Sequence, residues 1–262
     1  IDFRMDEWGV DLAVTGSQKG LMLPPGLGIL GVSPKAIAAS ESNRMPRAYH
    51  DFADMMRMNE TGYFPYTPPI ALLHGLRRAL DRMMDEGFEN VFARHHRLAK
   101  GVRAAVQAWG LDMAAEHPSL YSDTVTAIRT PQGVDAREVI KIAYDRYNCS
   151  LGSGLGPLAG KVFRIGHLGD FNDLMLMGTL SGVEMALGLA KVPHKAGGAQ
   201  AALTYLRDTA PGARRGAAFT RRSRPRGRCP APALRRHRPR RAWATALSPP
   251  SAAPGRARRR AR

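Results

Sequence analysis

Residues 10–30, VDLAVTGSQKGLMLPPGLGIL, decide the fold of this chain. A short apolar run at 10–14 ends in a flexible corner of small residues, 15–17, and Gln18 and Lys19 follow before a Gly/Pro turn and a second apolar run. An extended segment that feeds a tight turn can hold one side chain rigidly at the edge of a sheet, facing a cleft. The pattern therefore predicts extended segments over 1–33, with Lys19 as the side chain that the turn presents.

A lysine that is held at the edge of a sheet in this way can react covalently with a carbonyl group. A lysine amine has an ordinary pKa of about 10.4, so burial or neighbouring positive charge must lower that pKa before the amine attacks a carbonyl carbon. An isolated lysine after a strand is more often ordinary solvated surface. Position alone leaves both interpretations open for Lys19.

The sequence around Lys19 indicates its function more specifically than its position after a strand does. GSQK at 16–19, preceded by Val10-Asp11 and followed after six residues by GLG at 26–28, resembles the cofactor-lysine signature of class V aminotransferases. The run GSQKGLMLPPGLG is most similar to the serine–glyoxylate and alanine–glyoxylate branch of that family, and further matches reach residue 206. The resemblance implies an α/β protein of fold type I that binds pyridoxal 5′-phosphate (PLP), acts as a homodimer, and uses Lys19 as Schiff-base lysine and proton shuttle.

Further positions match the phosphate-binding positions of the family. Gln18 corresponds to a donor to the PLP phosphate, which offers several acceptor oxygens; the alternative is that Gln18 is plain surface. Thr67, in PYTPP, corresponds to a threonine that reaches the phosphate held by the other subunit, or it merely precedes a helix start. The family often has Tyr three residues before this threonine, where the present chain has Phe64. Phe lacks the hydroxyl, and whether the adjacent Tyr66 replaces that contact stays open.

Arg164 is the candidate for binding the substrate carboxylate. It lies in the predicted strand 162–168 between apolar residues, and a permanently charged guanidinium turned toward an interior requires an anionic partner. The wording VFRIGHLGD resembles the segment that holds the carboxylate-binding arginine of the family; the alternative is a structural ion pair. The upstream Gly152-x-Gly154-x-Gly156 lacks the strand–Gly–helix context of a dinucleotide loop. In the family this stretch is an active-site loop that leads into the arginine strand.

The positions of the histidines and cysteines in the sequence predict neither a metal site nor a redox site. His95 and His96 are adjacent on a predicted helix and point about 100° apart, so packed or solvated side chains are expected rather than metal ligands. Cys149 and Cys229 are too few for a disulfide framework and fit a reducing cytoplasm. Cys149 is not in an evident nucleophile loop, which disfavours the cysteine desulfurases of the family. No export signal or membrane span is recognisable, so a cytoplasmic location is expected.

The net charge of +17 is confined to one end of the chain. Residues 207–262 contain 18 Arg, no Lys and a single acidic residue, Asp208, which accounts for the whole excess and leaves 1–206 neutral. This tail, rich in Arg, Ala, Pro and Gly, cannot bury enough apolar area to offset its chain entropy and is predicted to be disordered. It is either a frameshifted, non-functional end of the reading frame or a nucleic-acid-binding extension. In the second case affinity should fall steeply with salt.

Periodicity divides the rest of the chain. Helices are predicted at 34–39, 70–84, 88–109, 135–147 and 172–189, and strands at 124–128 and 162–168, whereas 44–61 is predicted to be a surface loop. We expect 1–87 to be part of a large cofactor-binding domain, 88–206 to be a small C-terminal α/β domain, and 207–262 to be the tail.

Transamination needs an amine for the cofactor aldehyde, a proton shuttle, an acid beside the ring nitrogen, phosphate donors and a cation for the substrate carboxylate. By resemblance, the ring-nitrogen aspartate, the stacking aromatic and the phosphate turn would precede Ile1, and Asp2 and Asp6 do not fit that aspartate. The expected function is transfer of the amino group of serine, or alanine, to glyoxylate. The chain by itself is expected to bind PLP poorly and to lack activity.

Overall fold

Two small sheets and seven α-helices make up residues 1–212, the part of the chain that the computed structural model describes. The strands are β1 (Leu12–Gly16), β2 (Gly28–Val32), β3 (Val125–Arg129), β4 (Gly152–Ser153) and β5 (Val162–Gly166). The helices are α1 (Pro34–Glu41), α2 (Phe52–Asn59), α3 (Ile70–Glu86), α4 (Phe88–Trp109), α5 (Ala136–Tyr147), α6 (Asp173–Leu189) and α7 (Gly198–Asp208). From residue 213 onward the tail lies outside the described residues, and with it Cys229, the predicted disorder and the nucleic-acid-binding alternative.

The first sheet is a hairpin built by the stretch that contains Lys19. β1 and β2 pair antiparallel, with Leu12 opposite Val32 and Gly16 opposite Gly28, so residues 17–27 form the connection between them. The extended segments predicted over this region are confirmed. The expected flexible corner is wrong in one respect, because Ser17 is fully buried.

The helices with clear apolar stripes lie where they were predicted. α4 has the predicted bounds, and α3 runs two residues beyond its predicted end. Gly110 closes α4 in the left-handed region, at φ 70°, which costs a residue without a Cβ little. Asp135 begins α5 by accepting a hydrogen bond from the Arg137 N–H, and Asn172 caps α6 in the same manner.

Two helices were not predicted. Residues 44–61 do not form a loop throughout, since they contain α2, which Asp51 caps by accepting a hydrogen bond from the Ala53 N–H at 2.9 Å. α7 has no side-chain cap of its own. Its first turn is instead capped from α6 by Glu184, whose carboxylate accepts from the N–H groups of Gly197 and Ala199. α7 also continues two residues past the predicted end of the small domain at 206.

The second sheet supports the main core. It is antiparallel in the order β3-β5-β4, and Ile128 lies opposite Phe163 on the face that packs against the helices. Trp109, from the end of α4, and Phe163 are among the largest fully buried side chains. The predicted boundary between 1–87 and 88–206 stays a prediction. Within residues 1–212 the helices are too short or too polar to span a lipid bilayer.

Candidate active site

Lys19 lies in the first turn after β1, and its side chain is exposed. Its carbonyl accepts a hydrogen bond from the Met22 N–H at 2.9 Å, which closes the turn. Gln18 beside it is also exposed. Both side chains are therefore accessible, and the roles predicted for them toward the cofactor stay predictions.

Ser17 fixes the backbone beneath Lys19. Its hydroxyl donates to the Pro24 carbonyl at 2.7 Å and accepts from the Leu27 N–H at 3.1 Å. Its own N–H donates to the Leu27 carbonyl, and its carbonyl accepts from the Leu23 N–H, each at 3.1 Å. One buried residue thus ties both ends of the 17–27 connection together. Sequence reasoning treated Ser17 only as a small corner residue, and no local signal marks a hydroxyl that binds ten residues away.

Helix α3 packs on the same connection. A Cβ on Gly75 would lie 2.7 Å from Cδ2 of Leu23, and a Cβ on Gly26 would lie 2.5 Å from Cδ1 of Leu72. The close approach at Gly75 brings the first turns of α3 onto the Lys19 loop. Because α3 begins three residues after Thr67, this packing also ties the PYTPP segment to the lysine side of the molecule.

The PYTPP segment presents Thr67 and Tyr66 at the surface, and Phe64 is exposed as well. The Tyr66 hydroxyl accepts a hydrogen bond from the Tyr49 N–H at 3.2 Å, and the two rings stack with centroids 4.6 Å apart. Its own proton stays available for a further acceptor. The phosphate contacts predicted for Thr67 and Tyr66 stay predictions.

Arg164 lies at the centre of the second sheet, between two very small residues. It is on β5, opposite Ala127 of β3 and Gly152 of β4, so all three positions share one face. Its neighbours Phe163 and Ile165 are buried on the other face. Arg164 is half-buried, and its Nε is fully buried with no hydrogen-bond partner among the described residues.

The missing partner of Arg164 Nε is informative, because buried guanidinium donors are normally paired. A Cβ on Gly152 would lie 3.0 Å from Nε and 3.1 Å from Cβ of Arg164, so the side chain packs directly on that glycine. This contact explains Gly152 in the Gly-x-Gly-x-Gly stretch, which leads into the arginine strand as predicted. The carboxylate-binding role predicted for Arg164 stays a prediction.

The lysine and arginine elements meet through the loop that follows β5. A Cβ on Gly169 would lie 3.0 Å from Cγ of Met22, which is in the Lys19 turn. Gly20, Met22, Gly169 and Asp170 line one cavity of about 280 Å³ together with residues of α3 and α4. The structure therefore brings the Lys19 turn to the end of the Arg164 strand.

Both histidines of α4 have partners other than a metal. His95 is buried, donates from Nδ1 to the Val91 carbonyl at 2.7 Å, and accepts at Nε2 from the Gly169 N–H at 2.9 Å. Burial lowers the pKa of His95, which agrees with a neutral ring. His96 is exposed, with Nδ1 3.0 Å from Oδ2 of Asp123. In the part of the chain that the structure describes, no three His, Cys, Asp or Glu side chains are grouped to bind a metal ion.

Burial shifts the pKa of both His167 and Cys149 away from the charged form. Burial lowers the pKa of His167 to about 4, and its ring contacts the Asp123 carbonyl through Nδ1 at 3.1 Å and the Thr126 hydroxyl through Nε2 at 2.9 Å. Burial raises the pKa of the Cys149 thiol. A thiol that resists ionisation is a poor nucleophile, which agrees with the expectation that this chain is not a cysteine desulfurase.

Comparison with known proteins defines the class to which this fold and site belong. The sequence profile of the family described as aminotransferase class-V matches residues 1–155. The chain belongs to the class V aminotransferases, and its α/β fold is that of the fold type I PLP enzymes, as predicted.

Particular relatives narrow the class further. The chain is 53% identical over 210 residues to the L-aspartate–glyoxylate aminotransferase of Paracoccus denitrificans (strain Pd 1222), covering 80% of this chain and 53% of that protein. It is also 53% identical over 216 residues to the serine–glyoxylate aminotransferase of Methylorubrum extorquens, covering 79% and 53%. The crystal structure of pyridoxamine–pyruvate aminotransferase from Mesorhizobium loti matches with a TM-score of 0.75 and 36% identity, over 79% of this chain and 54% of that one.

These comparisons confirm the resemblance to the serine–glyoxylate branch. The chain spans about half the length of the curated relatives that it matches.

Proposed function

We propose that this chain supplies the lysine and arginine side of a PLP-dependent aminotransferase site that transfers the amino group of a small amino acid to glyoxylate. Serine is the expected donor, and alanine is the alternative from the sequence. Aspartate becomes a third candidate because a relative of equal identity bears that name.

The unpaired guanidinium of Arg164 is the observation that carries the proposal: the side chain is half-buried, and it has no hydrogen-bond or ion-pair partner among the described residues. A guanidinium presents several donors in a fixed plane, which suits a carboxylate held by two parallel hydrogen bonds. Its neighbours on the sheet face are the small residues Ala127 and Gly152, and the side chain packs directly on Gly152. Both an α-amino acid and glyoxylate carry the carboxylate that this donor would orient, so one group can serve both halves of the reaction.

The residues around Lys19 fit the cofactor. The Lys19 side chain has no hydrogen-bond or ion-pair partner among the described residues that would compete for its amine, and it stands on a backbone fixed by Ser17. Gln18 and, from the PYTPP segment, Thr67 and Tyr66 are the proposed donors to the phosphate. When bound, PLP supplies an electron sink for the carbanion that forms at the substrate α-carbon.

The protein's own part in the reaction follows from these positions. Lys19 would hold the cofactor aldehyde carbon and, once released, its amine would take up and return the proton of the substrate α-carbon. Arg164 would orient the carboxylate so that the α-carbon faces that amine. Since Lys19 is exposed, we propose that residues 1–212 alone exclude water poorly from the site, and that the chain by itself binds PLP weakly and does not turn over. A homodimer and a cytoplasmic location are part of the same proposal.

A chimera tests the proposed function. Residues 1–206 would be joined to the half of the Methylorubrum relative that this chain does not cover, and transfer from serine, alanine and aspartate to glyoxylate would be assayed. Lys19→Ala should lower the rate at least about a hundredfold because it removes the proton carrier. The control Lys35→Ala, which removes an exposed lysine paired with Asp11 at 2.8 Å, should leave the rate unchanged.

Arg164→Lys should raise KM for the amino acid by about tenfold or more, because a point charge replaces the planar donor pair. A chimera that keeps its rate after Lys19→Ala, or its KM after Arg164→Lys, would refute the respective role. For the unfused chain, an absorbance band of PLP that depends on Lys19, together with measurable turnover, would contradict the proposed inactivity.

A further inference from the structure

The residues that follow β5 have no part in the chemistry proposed above. They run HLGDFN over 167–172 and connect β5 to α6. Gly169 has φ 85°, a conformation that side chains with a Cβ rarely adopt. Contacts from α4 and from the Lys19 turn fix the backbone of this connection from two sides.

Helix α4 holds this connection from one side. Arg94 Nη1 donates to the carbonyls of Gly169 at 2.8 Å and Phe171 at 3.0 Å. His95 Nε2 accepts from the Gly169 N–H at 2.9 Å. Arg94 is itself oriented by Glu86, whose two carboxylate oxygens accept from its Nε at 2.7 Å and Nη2 at 2.9 Å. Two adjacent residues of α4, Arg94 and His95, therefore bind the carbonyl and the N–H of the same residue, Gly169.

The Lys19 turn contacts the connection from the other side. Met22 packs on Gly169 so closely that a Cβ there would lie 3.0 Å from its Cγ. Met22 has φ 63°, which is unusual for a residue with a side chain, so the turn accepts a strained conformation where it meets Gly169. The two contacts meet at one glycine, five residues after Arg164.

We propose that the connection 167–171, hereafter the Gly169 loop, transmits the position of α4 to the Lys19 turn, with Arg94 and His95 as positioning residues. Clamped by α4 and packed against Met22, the loop sets the distance between the lysine turn and the strand that carries Arg164. The catalytic meaning of this coupling rests on the proposed function, whereas the coupling itself does not.

Hydrogen–deuterium exchange on the full 262-residue chain tests the coupling without any cofactor. His95→Leu removes the acceptor for the Gly169 N–H and does not touch the Lys19 turn directly. Exchange should rise at least about fivefold in the Gly169 loop and also at the Leu23 and Leu27 amides, which are hydrogen-bonded to Ser17. His95→Gln, which can keep an acceptor, should restore part of the protection.

Matched controls separate coupling from general loss of stability. Lys100→Ala changes an exposed residue of α4 that has no hydrogen-bond or ion-pair partner among the described residues, and it should leave both segments as in the unmodified chain. Peptides from α5, 136–147, should not change in any of these variants. Unchanged exchange at Leu23 and Leu27 in His95→Leu would overturn the proposal, as would an equal rise in α5.

Met22→Ala is a second test that leaves α4 unchanged. It tests the contact between the Gly169 loop and the Lys19 turn even if His95→Leu does not fold. It should speed exchange in the Lys19 turn while the Gly169 amide, still bound to His95, stays protected. A turn that exchanges as in the unmodified chain would overturn the proposal. Because exchange involves no PLP, failure of the coupling leaves the proposed reaction standing, and an inactive chimera leaves the coupling standing.

Discussion

Acid should destabilise this protein through His167. The side chain is fully buried, and burial lowers its pKa to about 4, whereas a histidine in an unfolded chain titrates near 6.5. Above pH 6.5 both states are neutral and the residue has no effect on the pH dependence. As the pH falls from about 6.5 to about 4, the unfolded chain gains a proton that the folded protein does not, so the free energy of unfolding decreases.

The magnitude follows from the width of that interval. About 2.5 pH units at about 1.4 kcal/mol each give a loss of about 3.5 kcal/mol, complete near pH 4, below which both states carry the proton. That is a large part of the 5–15 kcal/mol or so by which folded domains are usually stable. Burial likewise lowers the pKa of His95, so its effect has the same sign.

Urea unfolding followed by circular dichroism between pH 7.5 and 4.5 measures the effect. His167→Gln keeps a polar side chain of similar reach but cannot titrate, and its structural cost is read at pH 7.5, where His167 is neutral in both states. Between pH 6.5 and 4.5 the stability of the variant should fall by about 2–3 kcal/mol less than that of the unmodified protein. Parallel decreases in the two proteins would refute the argument that His167 stays neutral when folded.

Two further substitutions test the packing that places the site. Ser17→Ala removes a buried hydroxyl with two hydrogen bonds and should cost about 1–3 kcal/mol in urea unfolding, whereas the exposed Ser150→Ala should change stability by no more than about 0.5 kcal/mol. Gly198→Ala would place a Cβ 2.2 Å from Nε1 of the buried Trp109 and should cost about 2–3 kcal/mol, while Gly188→Ala, with open space around it, should stabilise α6 by up to about 1 kcal/mol. Equal effects of the two members of either pair would contradict the structure.

Sequence signals within an element were sufficient to predict the helices whose ends are marked by their own residues. α4 has the predicted ends because Gly87 and Gly110 flank a helical stripe. α7 was missed because its cap is Glu184, in another helix, and no residue of its own sequence marks its start. Helix propensity read from a segment's own sequence does not detect a helix whose N-terminal cap is supplied by another helix.

The same division applies to the site. Lys19 and Arg164 were predicted as site residues from sequence motifs, which report residue types at fixed spacing, and both roles stay predictions. The residues that hold them in place were not found: Ser17 acts across ten positions, and the small neighbours Ala127 and Gly152 matter only through strand register. Such roles depend on which segments meet in space, and the sequence of either segment alone does not contain that information.

The described residues separate two requirements that an aminotransferase site must satisfy. In the proposed site the positioning of the two residues is provided by this chain, because Ser17 fixes the backbone of the Lys19 turn and the sheet fixes that of Arg164. Enclosure is not provided by residues 1–212, since the Lys19 side chain is exposed. A site that is ordered but open should react with aldehydes slowly and with little selectivity, because selectivity needs contacts on the substrate from all sides. Reaction of the unfused chain with glyoxylate and with unrelated aldehydes at similar rates on Lys19, and selectivity only in the chimera, would follow from this separation.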